Sequence, residues 1–227
     1  MTRQAFSLLV SIFFSLASIG AWASATTLSV AGDVQITPKG GSSARLAEGQ
    51  RVDSGAALKT GPNSGVTIRF DDGQLLALTS NSNLVIDEYR FNPHKPEEGG
   101  ILTSLFRGGM RTVTGLIGKA KPESVKVTTP VATIGIRGTD FQLFVEGRLF
   151  ISVGDGTIGV ANVSGETVFD SAKQPLGIVP DAQTKARAAT LSEFSADAIA
   201  AMRRLDIEPN FGTRKPNPND PACSDRR

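Results

Sequence analysis

Apolar and polar residues alternate with a period of two along most of this chain, and breakers cut the alternation into short runs. Val66, Ile68 and Phe70 alternate with Thr67 and Arg69, then Asp71-Asp72-Gly73 intervenes before an apolar segment at 75–78. An Asp-Gly pair between two such runs signals a hairpin, because positive φ is least strained at Gly, Asn and Asp. Leu149, Ile151 and Val153 lead into Gly154-Asp155-Gly156, and Ile158 and Val160 lead away, which predicts a second hairpin. Further strands are predicted at 28–30, 33–36, from Leu84, at 110–114, near 167–169 and at 176–179. Turn residues cluster at 38–43 and 92–100, 115–122 reads as a mobile loop, and 101–106 fits either a helical turn or a strand.

The densest β-like stretch is 125–145, VKVTTPVATIGIRGTDFQLFV. Its alternation changes phase twice: Val125 and Val127 share one parity, Ile134 and Ile136 the other, and Phe141, Leu143 and Val145 return to the first. A strand's side chains alternate strictly, so each change needs a bend or bulge, and Pro130 and Gly138 stand at the two places. The pattern predicts three short strands turning two corners, at Thr129-Pro130 and at Arg137-Gly138-Thr139. Strands every 8 to 12 residues or so, with turn signals between them, indicate an all-β domain. No βαβ alternation argues for a parallel doubly wound sheet. The corners suit many short strands in a curled, solenoid-like β domain, with a sandwich as the alternative.

Helical spacing begins near Thr190, where Leu191, Phe194, Ala198, Met202 and Leu205 form one apolar stripe. Thr190 and Glu193 fit a capping box, predicting a single C-terminal helix over 190–205. From Glu208 onward Pro, Asn, Asp and Arg dominate, which predicts a disordered tail. At the other end, Arg3 precedes an apolar run from Phe6, followed by the overlapping small-residue sites Ala21-Trp22-Ala23 and Ala23-Ser24-Ala25. That order is a secretory signal peptide, with the mature chain starting at Ser24 or Thr26, and an uncleaved membrane anchor as the alternative. The expected organisation is a leader over 1–25, a β domain over 26–185, an amphipathic helix over 186–206 and a tail over 207–227. The β domain is expected in the periplasm or secreted.

Composition narrows the chemistry. The 227 residues carry a formal charge of +2 with no basic stripe interleaved with aromatics, so nucleic acid is not an expected partner. The single cysteine, Cys223, cannot form an intrachain disulfide. His94, the only histidine, lies between prolines with no second ligand of zinc type, and no cofactor or metal is expected. Asp71, Asp72 and Asp155 lack a calcium-ligand ladder and read as turn residues. Gly135 and Gly138 are not followed by a helix start, and no nucleophile–base pair is spaced for catalysis, so an enzyme is not expected. Asn162-Val163-Ser164 matches a glycosylation sequon and equally a short turn.

Arg137 is the sharpest candidate. Unless Gly138 carries a bulge, it shares a side with Phe141 and Leu143, so it is expected inward with its donors on corner carbonyls; the alternative is an exposed grip for a carboxylate or phosphate. Thr139 is expected to hydrogen-bond the corner backbone, and Asp140 to pair with Arg137 or face solvent.

The stretch TPVATIGIRGTDF at 129–141 resembles the signature of the FecR domain, a periplasmic module named after an iron-citrate regulator. Thr129, Pro130, Gly135, Arg137, Gly138, Thr139 and Asp140 carry the resemblance. GAALKTG at 55–61 with VTIRFDDGQLLAL at 66–78, and FISVGDGTIGVANVSGETV at 150–168, are similar to its flanks. The resemblance implies a non-catalytic exported domain that binds a protein or an envelope glycan. It implies alternatively a periplasmic component of a transmembrane signalling or iron-uptake regulation system, acting with a separate membrane regulator. The family's regulators carry a cytoplasmic anti-sigma segment before their membrane span; with an apolar run from Phe6, this chain is not expected to house one.

Overall fold

The computed structural model describes residues 23–206, so the tail expected over 207–227 and most of the expected leader lie outside the described residues. The chain opens with β1 (Ser24–Ala31), β2 (Val34–Thr37), β3 (Ala44–Arg45), β4 (Arg51–Asp53), β5 (Ala57–Thr60), β6 (Gly65–Phe70), β7 (Leu75–Leu78) and β8 (Asn83–Arg90). Then come β9 (Gly100–Val113), a short helix α1 (Leu116–Ala120), β10 (Val125–Thr128), β11 (Thr133–Glu146) and β12 (Arg148–Asn162). The last elements are β13 (Gly165–Asp170), β14 (Leu176–Val179), β15 (Arg187–Ala188) and α2 (Ala196–Asp206). The strands join in one large mixed sheet that does not close into a barrel, antiparallel except where β10 lies parallel to β9.

Not all the strands are short. β9, β11 and β12 run 14, 14 and 15 residues, and the chain turns within them rather than between them. The first half of β9 pairs with β8 and β10, and its second half with β7 and β11. The register slips once between, at Phe106, just before Gly108 (φ +89°). A bulge of this kind bends a strand while keeping its ladder on both sides, so a corner need not end the element. Residues 125–145 behave likewise: two strands, β10 and β11, stand where three were expected. Only the first corner separates strands; the second is a bulge inside β11. The ambiguous 101–106 run is strand, and the expected loop at 115–122 contains α1.

Alternate residues of these strands fill one core, including Val34, Leu58, Ile68, Leu84, Leu105, Phe141 and Ile151. A second, smaller cluster forms where α2 lies on the sheet: Phe144, Phe150, Leu176 and Ile178 meet Phe194, Ala198 and Met202. The apolar stripe from Leu191 is thus shared between a 3₁₀ turn (Leu191–Glu193) and α2. The Thr190 N–H donates to Glu193 Oε1 at 3.0 Å, so that pair closes the 3₁₀ turn, while Ser195 Oγ accepts from Ala198 N–H and caps α2.

The Asp-Gly hairpin does more than turn the chain. Asp72 is 1% exposed; its Oδ1 accepts from Gln74 N–H at 3.1 Å, its Oδ2 from Ile117 N–H at 3.2 Å, and its own N–H donates to the Tyr89 hydroxyl oxygen at 2.9 Å. Burial raises the Asp72 pKa, with those N–H groups opposing the rise. A raised carboxyl favours the neutral form, so this group's contribution is fully present below the ordinary value and is lost as pH rises through the folded pKa. Removing the carboxylate would nonetheless take from the buried Gln74 and Ile117 N–H groups the acceptor they use. Asp72→Ala is expected to lower the unfolding free energy by about 1 to 3 kcal/mol, read by urea denaturation at neutral pH.

Candidate functional site at the signature corner

The signature residues divide between two corners of the β10–β11–β12 region. At the first, residues 129–132 form the tight turn from β10 to β11. Thr129 N–H donates to Ala132 O at 2.9 Å; its Oγ1 donates to the same carbonyl at 2.8 Å and accepts from Ala132 N–H at 3.1 Å. Thr129 is buried and closes its own turn, while Pro130 is exposed. The preference of Thr for turns and of Pro for a fixed φ explains the pair locally.

The second corner is the bulge. β11 pairs with β12 in regular register up to Arg137↔Thr157, resumes at Asp140↔Asp155, and shifts again before Phe141↔Val153. Gly138 (φ +72°) lies in the bulge, opposite Gly156 (φ +79°). The two backbones approach so closely that a Cβ on Gly156 would collide with the Gly138 carbonyl oxygen. Thr139 turns inward and is locked by Thr114: its N–H donates to Thr114 Oγ1 at 2.9 Å, and its carbonyl accepts from Thr114 N–H at 3.0 Å and Thr114 Oγ1 at 2.8 Å. The hydroxyl that holds the corner backbone is therefore that of Thr114, not that of Thr139, whose buried Oγ1 has no hydrogen-bond partner among the described residues.

Arg137 is exposed, contrary to the inward orientation that unbroken alternation predicts. The bulge supplies the reason: one extra residue between Arg137 and Phe141 puts the two on opposite faces. Among the described residues Arg137 has no hydrogen-bond or ion-pair partner. Asp140 does not pair with Arg137, and its side chain is only 14% exposed. It accepts from Arg111 Nε at 2.9 Å and Arg111 Nη2 at 2.7 Å, a bidentate pair with Arg111 only 1% exposed. Arg111 Nη1 also donates to the Leu205 carbonyl at 3.1 Å, in the last turn of α2, and stands 4.0 Å from Asp206 Oδ1. Gln142 Nε2 completes the cluster, donating to Asp206 Oδ1 at 2.6 Å and Met202 O at 3.3 Å.

The buried arginine of this region is thus Arg111, which reads in the sequence as one residue of a strand. Its signal was indirect: Arg111 is a charged residue between Met110 and Thr112, and Asp140 needs a cation.

By register, the outward face at this corner runs across four strands. Thr133, Gly135 and Arg137 of β11 oppose Ala161, Gly159 and Thr157 of β12, which oppose Glu166, Val168 and Asp170 of β13. Lys126 of β10 lies beside Gly135. Nothing lies within 4 Å of where a Cβ on Gly135 would stand, so the centre of this face is open. Val168 is 49% exposed at its far side. Asn162 of the sequon sits at the end of β12, where its Nδ2 donates to Thr184 O at 2.7 Å and its Oδ1 accepts from Ser164 N–H at 3.0 Å, a turn-closing role. Among the described residues, no group of three or more His, Cys, Asp or Glu side chains is placed to hold a metal ion. Among the same residues, no helix is long and apolar enough to cross a membrane.

Two contrasts test this geometry. Asp140→Ala removes the bidentate carboxylate from the buried Arg111 guanidinium and is expected to cost about 3 to 5 kcal/mol, measured by chemical denaturation. Gly156→Ala is expected to lower Tm markedly through the collision with Gly138 and the positive φ, whereas Gly135→Ala leaves Tm within a degree or two of wild type.

No curated protein matches the chain. Two solved structures of a candidate anti-sigma factor from Parabacteroides distasonis ATCC 8503, at 1.65 and 2.50 Å, align with TM-scores of 0.48 and 0.49 at 15% identity, covering 66% of this chain. This chain spans 64% of the length of each, and nothing functional follows from the likeness. A cell surface anchoring domain aligns over 27% of this chain at 26% identity and a TM-score of 0.26. The family model described as FecR protein matches residues 56–173, which contain both corners and their flanks, and the chain belongs to that family.

Proposed function

We propose that this chain is an exported, non-catalytic signalling module whose FecR domain binds a protein partner through the outward face at the bulge of β11. FecR is a regulatory family whose domains are typically periplasmic. The observation that supports the reading most directly is Arg137: an exposed guanidinium at the signature corner, without a partner among the described residues. An arginine presents five N–H donors in a planar fork that matches a carboxylate. The flat centre at Gly135 lets a partner's chain approach the sheet closely, and the exposed Val168 supplies apolar area beside it. These features suit a protein partner that offers a carboxylate to Arg137. An envelope glycan is the second reading, favoured by the several hydroxyls of Thr128, Thr133 and Thr157 around the same face.

Arg137→Ala is expected to fold normally, with its unfolding free energy within about 0.5 kcal/mol of wild type. The same variant is expected to recover at least tenfold less partner in a pull-down from envelope extract, with Arg69→Ala as the exposed control. Wild-type recovery by Arg137→Ala would sink the assignment of this face, and retention on isolated envelope glycan would favour the second reading.

A further inference from the structure

The start of β1 bears on how the chain is processed. The two small-residue sites, Ala21-Trp22-Ala23 and Ala23-Ser24-Ala25, permit a cut after Ala23 or after Ala25. They differ by two residues, and those two are built into the fold. Ser24 and Ala25 are 1% and 0% exposed. Ser24 opposes Asp53, and Ala25 lies between Val52 on β4 and Phe70 on β6, each 1% exposed. Ser24 N–H donates to Asp71 Oδ2 at 2.9 Å, and Ser24 O accepts from Asp71 N–H at 3.1 Å. Asp71 in turn takes Arg51 in a bidentate pair, at 3.1 and 3.0 Å.

A cut after Ala25 removes both residues, opens the strand pairing at this end and uncovers the Val52 and Phe70 side chains. A cut after Ala23 leaves every one of these contacts in place. It also changes the chemistry of one of them: the amide N–H facing Asp71 becomes a charged amine.

Resting on the export reading above, we infer that the chain is processed between Ala23 and Ser24 and that the new Ser24 ammonium is seated on the Asp71 carboxylate. The step is a hydrolysis by a membrane peptidase selective for small residues. Water adds across the Ala23–Ser24 peptide bond; its oxygen remains on the Ala23 carboxylate, and both its protons go to the Ser24 nitrogen, which leaves as the ammonium. No electrons are transferred. The ammonium then strengthens an existing hydrogen bond into a charge-assisted one, so Asp71 anchors the first residue of β1 between two cations.

The experiment expresses the full chain in a bacterial host with an export pathway, recovers it from the envelope, and determines its intact mass and N-terminal sequence. Ser24 as first residue is expected. Thr26 as first residue would overturn the assignment while leaving export standing; intact Met1 would overturn both. A second measurement tests the seat itself. Isotope-labelled dimethylation of the α-amino group allows its titration by nuclear magnetic resonance. In the mature protein its midpoint is expected at least one unit or so above that of the Asp71→Asn variant, because an opposite charge at hydrogen-bond distance favours the ammonium. Identical midpoints in the two proteins would overturn the pairing with Asp71.

Discussion

Arg111 carries a full charge in a site 1% exposed to solvent, and much of the molecule's order follows from how that charge is satisfied. An unpaired guanidinium in such a place would be too costly to keep, so the fold supplies a bidentate carboxylate from Asp140 and a helix-terminal carbonyl from Leu205. These partners come from distant parts of the chain. Arg111 opposes Gln142 across the β9–β11 ladder, and Asp140 is the next residue along on the same face. Leu205 belongs to the last turn of α2, whose unsatisfied carbonyls form the negative end of a helix dipole. One buried cation therefore ties together two strands and the C-terminal helix.

That arrangement depends on the bulge. Beyond Gly138 the core side of β11 carries Thr139, Phe141, Leu143 and Val145, and the opposite side carries Asp140, Gln142 and Phe144. Before it, the core side carries Ile134 and Ile136, and Arg137 faces out. One extra residue thus lets a single strand pass from a half covered on one face to a half covered on both. α2 provides the second cover, and it comes close because Gly109, opposite Phe144, has no side chain: a Cβ there would lie 3.3 Å from that of Ala201.

The two corners together hold two kinds of signature residue. Thr129, Thr139 and Asp140 are consumed by the structure, closing a turn, docking on Thr114 and neutralising Arg111. Arg137, Gly135 and Pro130 are left on or near the surface. A motif read as one unit is therefore partly a construction element and partly an exposed feature. Only the exposed part is open to a partner.

Much of the strand content, the Asp-Gly hairpin at 71–73, the two phase changes at 130 and 138 and the apolar stripe of the last helix are properties of local pattern and are legible in the sequence alone. Alternation, turn chemistry and helical spacing act over a few residues, and the chain reports them directly. Family membership was legible for the same reason, being carried by a contiguous stretch. Which way Arg137 points was not, because a bulge and a corner both break the alternation, and only pairing with β12 decides between them. Nor was the choice of Arg111 over Arg137 as the partner of Asp140: those residues lie 29 positions apart in the chain and meet through a strand register that no local pattern encodes. Burial of a charge is a property of everything packed around it, so it is decided by the tertiary structure and not by the residue's neighbours in sequence.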